Sequence, residues 1–289
     1  MLFTPSLAVI NHWFLDRRGL ATGFAMTAGS IGGIVFPLLV GDLSKQIGFP
    51  WAIRVMALLC LAFCAISALL IRTRLPPNKE EGSTIDLRAL CDLRLLHVAI
   101  ATILVEIGFL IPMTYLVSYA SSHDVSSGLS FQLMAILNAA SIFGRVIPGY
   151  IADQWGRFNV VIVTNIVCTI LILSLWLKSG YSAPAIICFS AFFGFWSGTA
   201  MSLSPVCVAQ ISKTEEYGKR YGTTYSLVGF ATLVAIPVAG EIIKVQNKNG
   251  PEKDYSGLII FGGVAYGLSA VFYLIAKGVS TKWNLKEIF

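Results

Sequence analysis

The sequence predicts an all-α, polytopic membrane helix bundle. Three observations predict it: an apolar composition with few charges, eight unbroken apolar runs, and basic residues gathered on alternate connecting loops. Hydrophobic residues make up 56% of the 289 and charged residues 12%, where soluble domains carry about a quarter. Mean hydropathy is +0.75. A soluble fold of this length must cover its exterior with polar groups, and lipid removes that demand. The runs are too long and too continuous to be the alternating strands of a membrane barrel.

Taken in order, the apolar stretch 1–13 is too short to cross ~30 Å of hydrocarbon at ~1.5 Å per residue. It reads as the tail of a longer helix, or as a short re-entrant segment. Full spans follow at 19–43 and 50–71. The segment 72–94 (RTRLPPNKEEGSTIDLRALCDLR) is the longest polar stretch. Pro76-Pro77 and its charge run mark it as a cytosolic linker. Six further spans lie at 95–120, 129–151, 159–177, 182–211, 221–243 and 256–276. The expected organisation is a partial N-terminal bundle (1–71), the linker (72–94), a complete C-terminal six-helix bundle (95–277) and a cytosolic tail (278–289).

Loop charges orient the spans. With the turn at 14–18 in the cytosol, the inner side holds Arg17, Arg18, Arg72, Arg74, Lys79, Arg88, Arg94, Arg157, Lys213, Lys219, Arg220, Lys277, Lys282 and Lys286, fourteen in all. The outer side holds five: Lys45, Lys178, Lys244, Lys248 and Lys253. Arg54 and Arg145 stay inside spans. This satisfies the positive-inside rule and accounts for the +6 net charge without nucleic acid. Five of the six cysteines lie in apolar stretches, Cys91 lies in the linker, and no CxxC pair occurs.

The chain repeats itself at an offset of 200 residues: Pro5 matches Pro205, and Pro37 matches Pro237. Basic turns (Arg17-Arg18-Gly19; Lys219-Arg220-Tyr221-Gly222) sit between each pair, and Gly41-Asp42 answers Gly240-Glu241. If 1–71 repeats 201–276, the spans before Pro205 need counterparts before Pro5. That is about 100 residues, three spans and part of a fourth, by the repeat logic of transporters.

Two motifs carry mechanism. The first is Gly149-Tyr-Ile-Ala-Asp153-Gln-Trp-Gly156-Arg157, at the inner exit of span 129–151. Gly149 permits close helix approach. Asp153 is placed to accept hydrogen bonds from a neighbouring helix N-terminus or a basic side chain. Gly156 permits a tight turn, and Arg157 holds the inner side. This is either a conformational latch or a tight turn with a surface ion pair. The second motif is Trp13-Phe-Leu-Asp16-Arg17-Arg18-Gly19-Leu-Ala-Thr-Gly23-Phe-Ala25, followed by Ala28-Gly29-Ser30-Ile-Gly32-Gly33. Its glycines suit helices packed backbone to backbone.

Ions at bilayer depth are costly and usually functional. Arg145 lies ~9 Å and Glu106 ~17 Å from the inner ends of their spans, by helix rise. Asn138 and Ser141 precede Arg145 by seven and four residues on the same face. The expected substrate residues are Arg145, Glu106, Asn138 and Ser141, with Tyr115 as an aromatic wall. Arg145 would hold an organic anion, and Glu106 would balance it or carry a proton. An Arg145–Glu106 ion pair that only fixes packing is the equal alternative. The expected gating residues are Gly149, Asp153, Gly156, Arg157, Arg17 and Arg18.

The first motif resembles the second-half G-x-x-x-D-x-x-G-R loop of the major facilitator superfamily, with Gln154 where the family carries a basic residue. The second resembles the Y-F-x-[KR]-R-R-x-L-A-x-G-x-A-x-A-G-S signature of its monocarboxylate porter branch, in the fungal form. Asp16 replaces a basic residue there, and one extra residue precedes Ala28-Gly29. Asn138–Gly149 and Ile111–Ala120 extend the likeness over nearly the whole chain. The resemblance implies a secondary transporter of a small organic solute, a monocarboxylate first. Drugs, vitamins and sugar acids are the alternatives within transport; a sensor or truncated product is the alternative outside it. It also implies alternating access of two bundles, a substrate carboxylate on Arg145, and a multi-pass protein of the plasma or vacuolar membrane. The branch often carries an Asp where Ser141 stands, and its coupling lysine falls in the first helix, outside this chain. Expected partners are the lipid bilayer, a small organic anion and a proton as candidate co-substrate. No P-loop, nucleophile elbow, dinucleotide fingerprint or metal-ligand spacing is present, so no enzyme activity, cofactor or metal is expected.

Overall fold

The computed structural model describes residues 3–72, 86–123, 127–180, 182–248 and 254–284. Most of the linker (73–85) and the end of the tail (285–289) lie outside the described residues. Among those described the fold is all-α, with α1 (Phe3–Trp13), α2 (Arg18–Ile47), α3 (Phe49–Leu70), α4 (Leu93–Ser122), α5 (Ser127–Trp155), α6 (Arg157–Ile170), α7 (Ala183–Gln210), α8 (Tyr217–Gln246) and α9 (Ser256–Ser280). Among the described residues, eight helical stretches are long and apolar enough to cross a bilayer, and they match the eight expected spans.

Local chemistry sets the boundaries. Gly48, at φ +80°, turns α2 into α3, with Pro50 in the first turn where a missing N–H costs nothing. Asp92 caps α4 by accepting from the backbone N–H of Arg94. Gly156, at φ +92°, makes the turn between α5 and α6. Beyond Ile170 the helix continues as a π turn, Leu171–Trp176. That turn brings Ile172 and Trp176 both fully into the core. Trp176 there stacks on Phe189, and Phe189 on Phe193, each at 5.1 Å.

The tightest packing is between α5 and α7, α4 and α9, and α2 and α5. Glycines bring the α5–α7 backbones together. A Cβ on Gly144 would stand 1.9 Å from the Phe195 carbonyl oxygen, and one on Gly194 2.2 Å from that of Leu137. Thr199 Oγ1 donates to the freed Gly144 carbonyl at 2.6 Å. By contrast, α3 buries only Ala52 and exposes Leu58, Leu61, Phe63, Leu69 and Leu70. An apolar face of that extent has lipid as its natural solvent.

The residues assigned to the cytosol by charge meet at one end of the bundle. Arg18 reaches the Ala209 carbonyl, Arg220 lies 3.4 Å from Asp92, and Lys277 donates to Asn159 Oδ1. The opposite end holds Glu241–Lys244 at 3.2 Å and the Gln246–Asp254 contact. The internal repeat has a structural counterpart. Helices α2 and α8 are each 30 residues long, begin at a basic turn, and carry Pro37 and Pro237 at nearly the same place.

Candidate functional site: a cavity and a cytosolic latch

The candidate latch grows from an unfinished helix end. The first turn of α2 has free backbone N–H groups, and its N-cap residue, Arg17, provides no side-chain cap. Asp153, on the last turn of α5, caps it from outside. Its Oδ1 accepts from Gly19 N and its Oδ2 from Leu20 N, both at 2.9 Å. The carboxylate is only 8% exposed and also accepts from Arg157 Nε at 3.1 Å. Arg157 Nη2 then donates to the carbonyls of Leu15 and Asp16. A negative group at the positive end of the α2 dipole adds to these bonds. The crossing is close because both helices lack a Cβ there. A Cβ on Gly19 would fall 2.6 Å from the Gly149 carbonyl oxygen, and one on Gly149 2.8 Å from that of Gly19.

Of the expected gating residues, Gly149, Asp153, Gly156 and Arg157 come together in this cluster. Arg18 takes a separate place, bridging the Phe14 and Ala209 carbonyls and so tying α2 to α7. Arg17 is exposed beside the cluster. Gln154 is exposed too, and Arg157 supplies the positive partner of Asp153 instead.

Deeper along the same helix pair lies a cavity of about 560 Å³ between α1, α2, α4, α5 and α7. Arg145, Asn138 and Ser6 are the polar residues among its lining, and Phe109, Met26, Met113, Met134 and Met201 supply much of its apolar wall. Arg145 donates from Nη1 to the Met26 carbonyl. Its Nε is buried without a partner. The Asn138 amide donates to Met134 O at 2.9 Å and packs on Gly33, whose missing Cβ leaves its room. Gly23 lets α2 ride on the Arg145 backbone: a Cβ there would meet the Arg145 carbonyl oxygen at 2.1 Å.

The other three expected substrate residues stand elsewhere. Ser141 is buried, its hydroxyl paired with that of Ser30 at 2.8 Å across the α2–α5 contact. Being on the Arg145 face of α5 puts it against α2 rather than into the cavity. Tyr115 faces α8 beside Ala235 and Ala239, in a small gap lined also by Ile107 and Ile111. Glu106 is half-buried on α4 and is not among the lining residues of the cavity. No ion pair joins it to Arg145 among the described residues, so the packing pair weighed from sequence does not form here.

Sequence reasoning missed the four methionines, which fall on four helices with no shared spacing. It also missed the tyrosine ladder of α8. Tyr217, Tyr221 and Tyr225 recur every fourth residue, with ring centroids 5.5 and 4.5 Å apart. That period is a readable signal for one helix face.

A family model described as Major Facilitator Superfamily matches residues 1–236. The riboflavin transporter MCH5 of Saccharomyces cerevisiae is 38% identical over 308 residues, covering 98% of this chain and 58% of the relative. An MFS-type transporter of Gibberella moniliformis is 37% identical over 288 residues, covering 99% of this chain and 68% of the relative. The aspyridones efflux protein apdF of Emericella nidulans is 31% identical, covering 93% of this chain and 55% of the relative. The chain therefore spans between 55% and 68% of the length of these three.

Proposed function

The chain belongs to the major facilitator superfamily, and from that premise we propose that its cavity binds a small organic solute through an anionic group set against Arg145. The observation that carries this reading is the Arg145 guanidinium. It is committed to the protein through Nη1, and its Nε is buried with no acceptor. A buried donor without a partner costs about 1–3 kcal/mol, which a carboxylate or other anionic oxygen would recover. Asn138 offers an amide beside it. The Asp153 latch would hold the cytosolic ends of α2 and α5 together and release them as the bundles rock, which is alternating access. A proton accompanying the anion would offset the cost of its charge in the membrane.

A monocarboxylate is the reading that Arg145 and the porter-like signature support. A second reading rests on the cavity itself. Its 560 Å³ and its four methionines suit a solute larger than a short-chain acid. Thioethers pack adaptably and favourably against aromatic rings. The names of the relatives accord with this, since one is a riboflavin transporter and another an efflux protein for aspyridones.

Equilibrium binding of radiolabelled lactate and of riboflavin to the purified chain separates the two. Loss of one charge-assisted bond of about 1.5–3 kcal/mol should weaken the true ligand roughly 10- to 150-fold in Arg145→Ala. Arg145→Lys should retain part of that. Affinity unchanged in Arg145→Ala for every anion tested would remove the anion site. Riboflavin binding without lactate binding would select the larger solute.

A further inference from the structure

Two glycines of α2 fix how the polar groups of the cavity are spaced. The Arg145 backbone lies against Gly23, and its side chain runs from there along α2. Nη1 donates to the Met26 carbonyl and stands 3.4 Å from where a Cβ on Gly29 would be. One turn further, a Cβ on Gly33 would fall 2.6 Å from Asn138 Oδ1. Gly29, Gly33, Arg145 and Asn138 all line the cavity. The guanidinium and the carboxamide, seven residues apart on α5, are thus brought to one turn of α2 from each other, about 6 Å.

Each group has capacity left over, and of opposite kind. Arg145 spends Nη1 on Met26, and its buried Nε has no acceptor. The Nε–H and the Nη2–H beside it form one edge of the guanidinium fork, which a carboxylate meets with both oxygens. Asn138 is 7% exposed and spends an amide N–H on Met134 O at 2.9 Å. Its Oδ1 accepts from no side chain or backbone group among the described residues. A carbonyl oxygen held in so apolar a place calls for a donor. The cavity therefore asks for an anion at one point and an O–H or N–H about 6 Å away. Much of the remaining wall is thioether and ring: Met26, Met113, Met134, Met201 and Phe109. Such surfaces pack favourably against a flat ring.

We propose that Asn138 is the specificity-determining residue of the cavity, and that the ligand class is a hydroxyaryl carboxylic acid. Its carboxylate lies on the open edge of Arg145, its hydroxyl donates to Asn138 Oδ1, and its ring packs against the methionines. A benzene ring with these two groups at para positions spans about the same distance as one helical turn. In lactate the hydroxyl sits on the carbon next to the carboxylate, too near to reach Asn138 from Arg145. This rests on the anion reading of the cavity and adds to it the second contact that chooses among anions.

Equilibrium binding of radiolabelled benzoate to the full 289-residue chain in lipid nanodiscs, with 4-hydroxybenzoate and 4-methoxybenzoate as competitors, tests it. The expected order has 4-hydroxybenzoate tighter than benzoate by roughly 3- to 10-fold, the worth of one hydrogen bond. The methoxy acid, which cannot donate, should bind no tighter than benzoate. Asn138→Leu, of similar size, should bring 4-hydroxybenzoate down to benzoate and leave benzoate itself unchanged, which also shows that the variant is folded. Asn138→Ala gives the same reading without bulk near Gly33. Equal binding of benzoate and 4-hydroxybenzoate by the wild type overturns the proposal, and so does a preference that survives both variants. If benzoate is then still weakened in Arg145→Ala, the anion site stands and only the Asn138 contact falls. Binding of neither acid, or binding of both indifferent to Arg145→Ala, brings down the anion site and this proposal with it.

Discussion

At the scale of single residues, Asp153 shows how much one carboxylate can organise. It accepts two backbone N–H groups of another helix and one guanidinium N–H. Hydrogen bonds to a charged group contribute about 1.5–3 kcal/mol each, and removing one partner strands the others. Asp153→Ala should therefore lower thermal stability and free the Gly19 and Leu20 amides to exchange with deuterium. Asp153→Asn keeps one acceptor and should fall between. Unchanged protection of those two amides in Asp153→Ala would mean that the latch is held elsewhere. This cluster was legible in the sequence because its residues are fixed by spacing along one helix and one turn. Arg145 and Asn138 were legible for a related reason: a charge or an amide deep in an apolar run needs a polar space. Ser141 was not. Its position on the Arg145 face is correct, but a helix face is broad. Whether a hydroxyl meets a cavity or another hydroxyl, here that of Ser30, depends on how α2 crosses α5. Tyr115 turns toward α8 for the same reason, since the rotation of α4 about its axis is set by packing that no single sequence displays.

At the scale of helices, glycine decides which pairs meet. Gly144 and Gly194 set the α5–α7 crossing, and any Cβ on Gly144 would overlap the Phe195 backbone. Backbone cannot step aside as a flexible side chain can. Gly144→Ala should thus cost at least the roughly 1–3 kcal/mol of an overpacked core. Gly229 is the matched control, because it lies in α8 with nothing within 4 Å of a Cβ. Gly229→Ala should be neutral or stabilising by up to ~1 kcal/mol through helix propensity alone. Thermal unfolding midpoints of the two variants should move in opposite directions. If Gly144→Ala is as stable as wild type, the close crossing is not what holds α5 to α7. The helices themselves were plain from the chain, since apolar runs of this length have few other forms open to them in lipid. Their ends were less plain. Most ran two to four residues past the apolar limits, carried on by polar residues such as Tyr217-Gly-Lys-Arg220, which continue a helix as readily as lipid-facing ones.

For the whole molecule, the central issue is which end faces the cytosol, because the Asp153 cluster, the foot of the tyrosine ladder and the short helix Leu87–Cys91 all lie at that end. Charge asymmetry assigned it, and the structure collects Arg18, Asp153, Arg157 and Arg220 there. The cysteines provide a native test. Cys91 is exposed in the short 3-10 helix Leu87–Cys91, which precedes α4 at the end assigned to the cytosol. Cys168 and Cys207 are buried in the bundle. Cys60, Cys64 and Cys188 are exposed only along apolar helix flanks, where lipid keeps out both water and a charged reagent. The reactive form of a thiol is its thiolate, so a site in hydrocarbon reacts poorly even when uncovered. A membrane-impermeant maleimide should therefore modify Cys91 in inside-out vesicles and leave it untouched in right-side-out ones. Cys91→Ser should abolish the labelling of inside-out vesicles. Modification of Cys91 from the outer side would invert the bundle. The Asp153 cluster would then sit at the external end of α2 and α5.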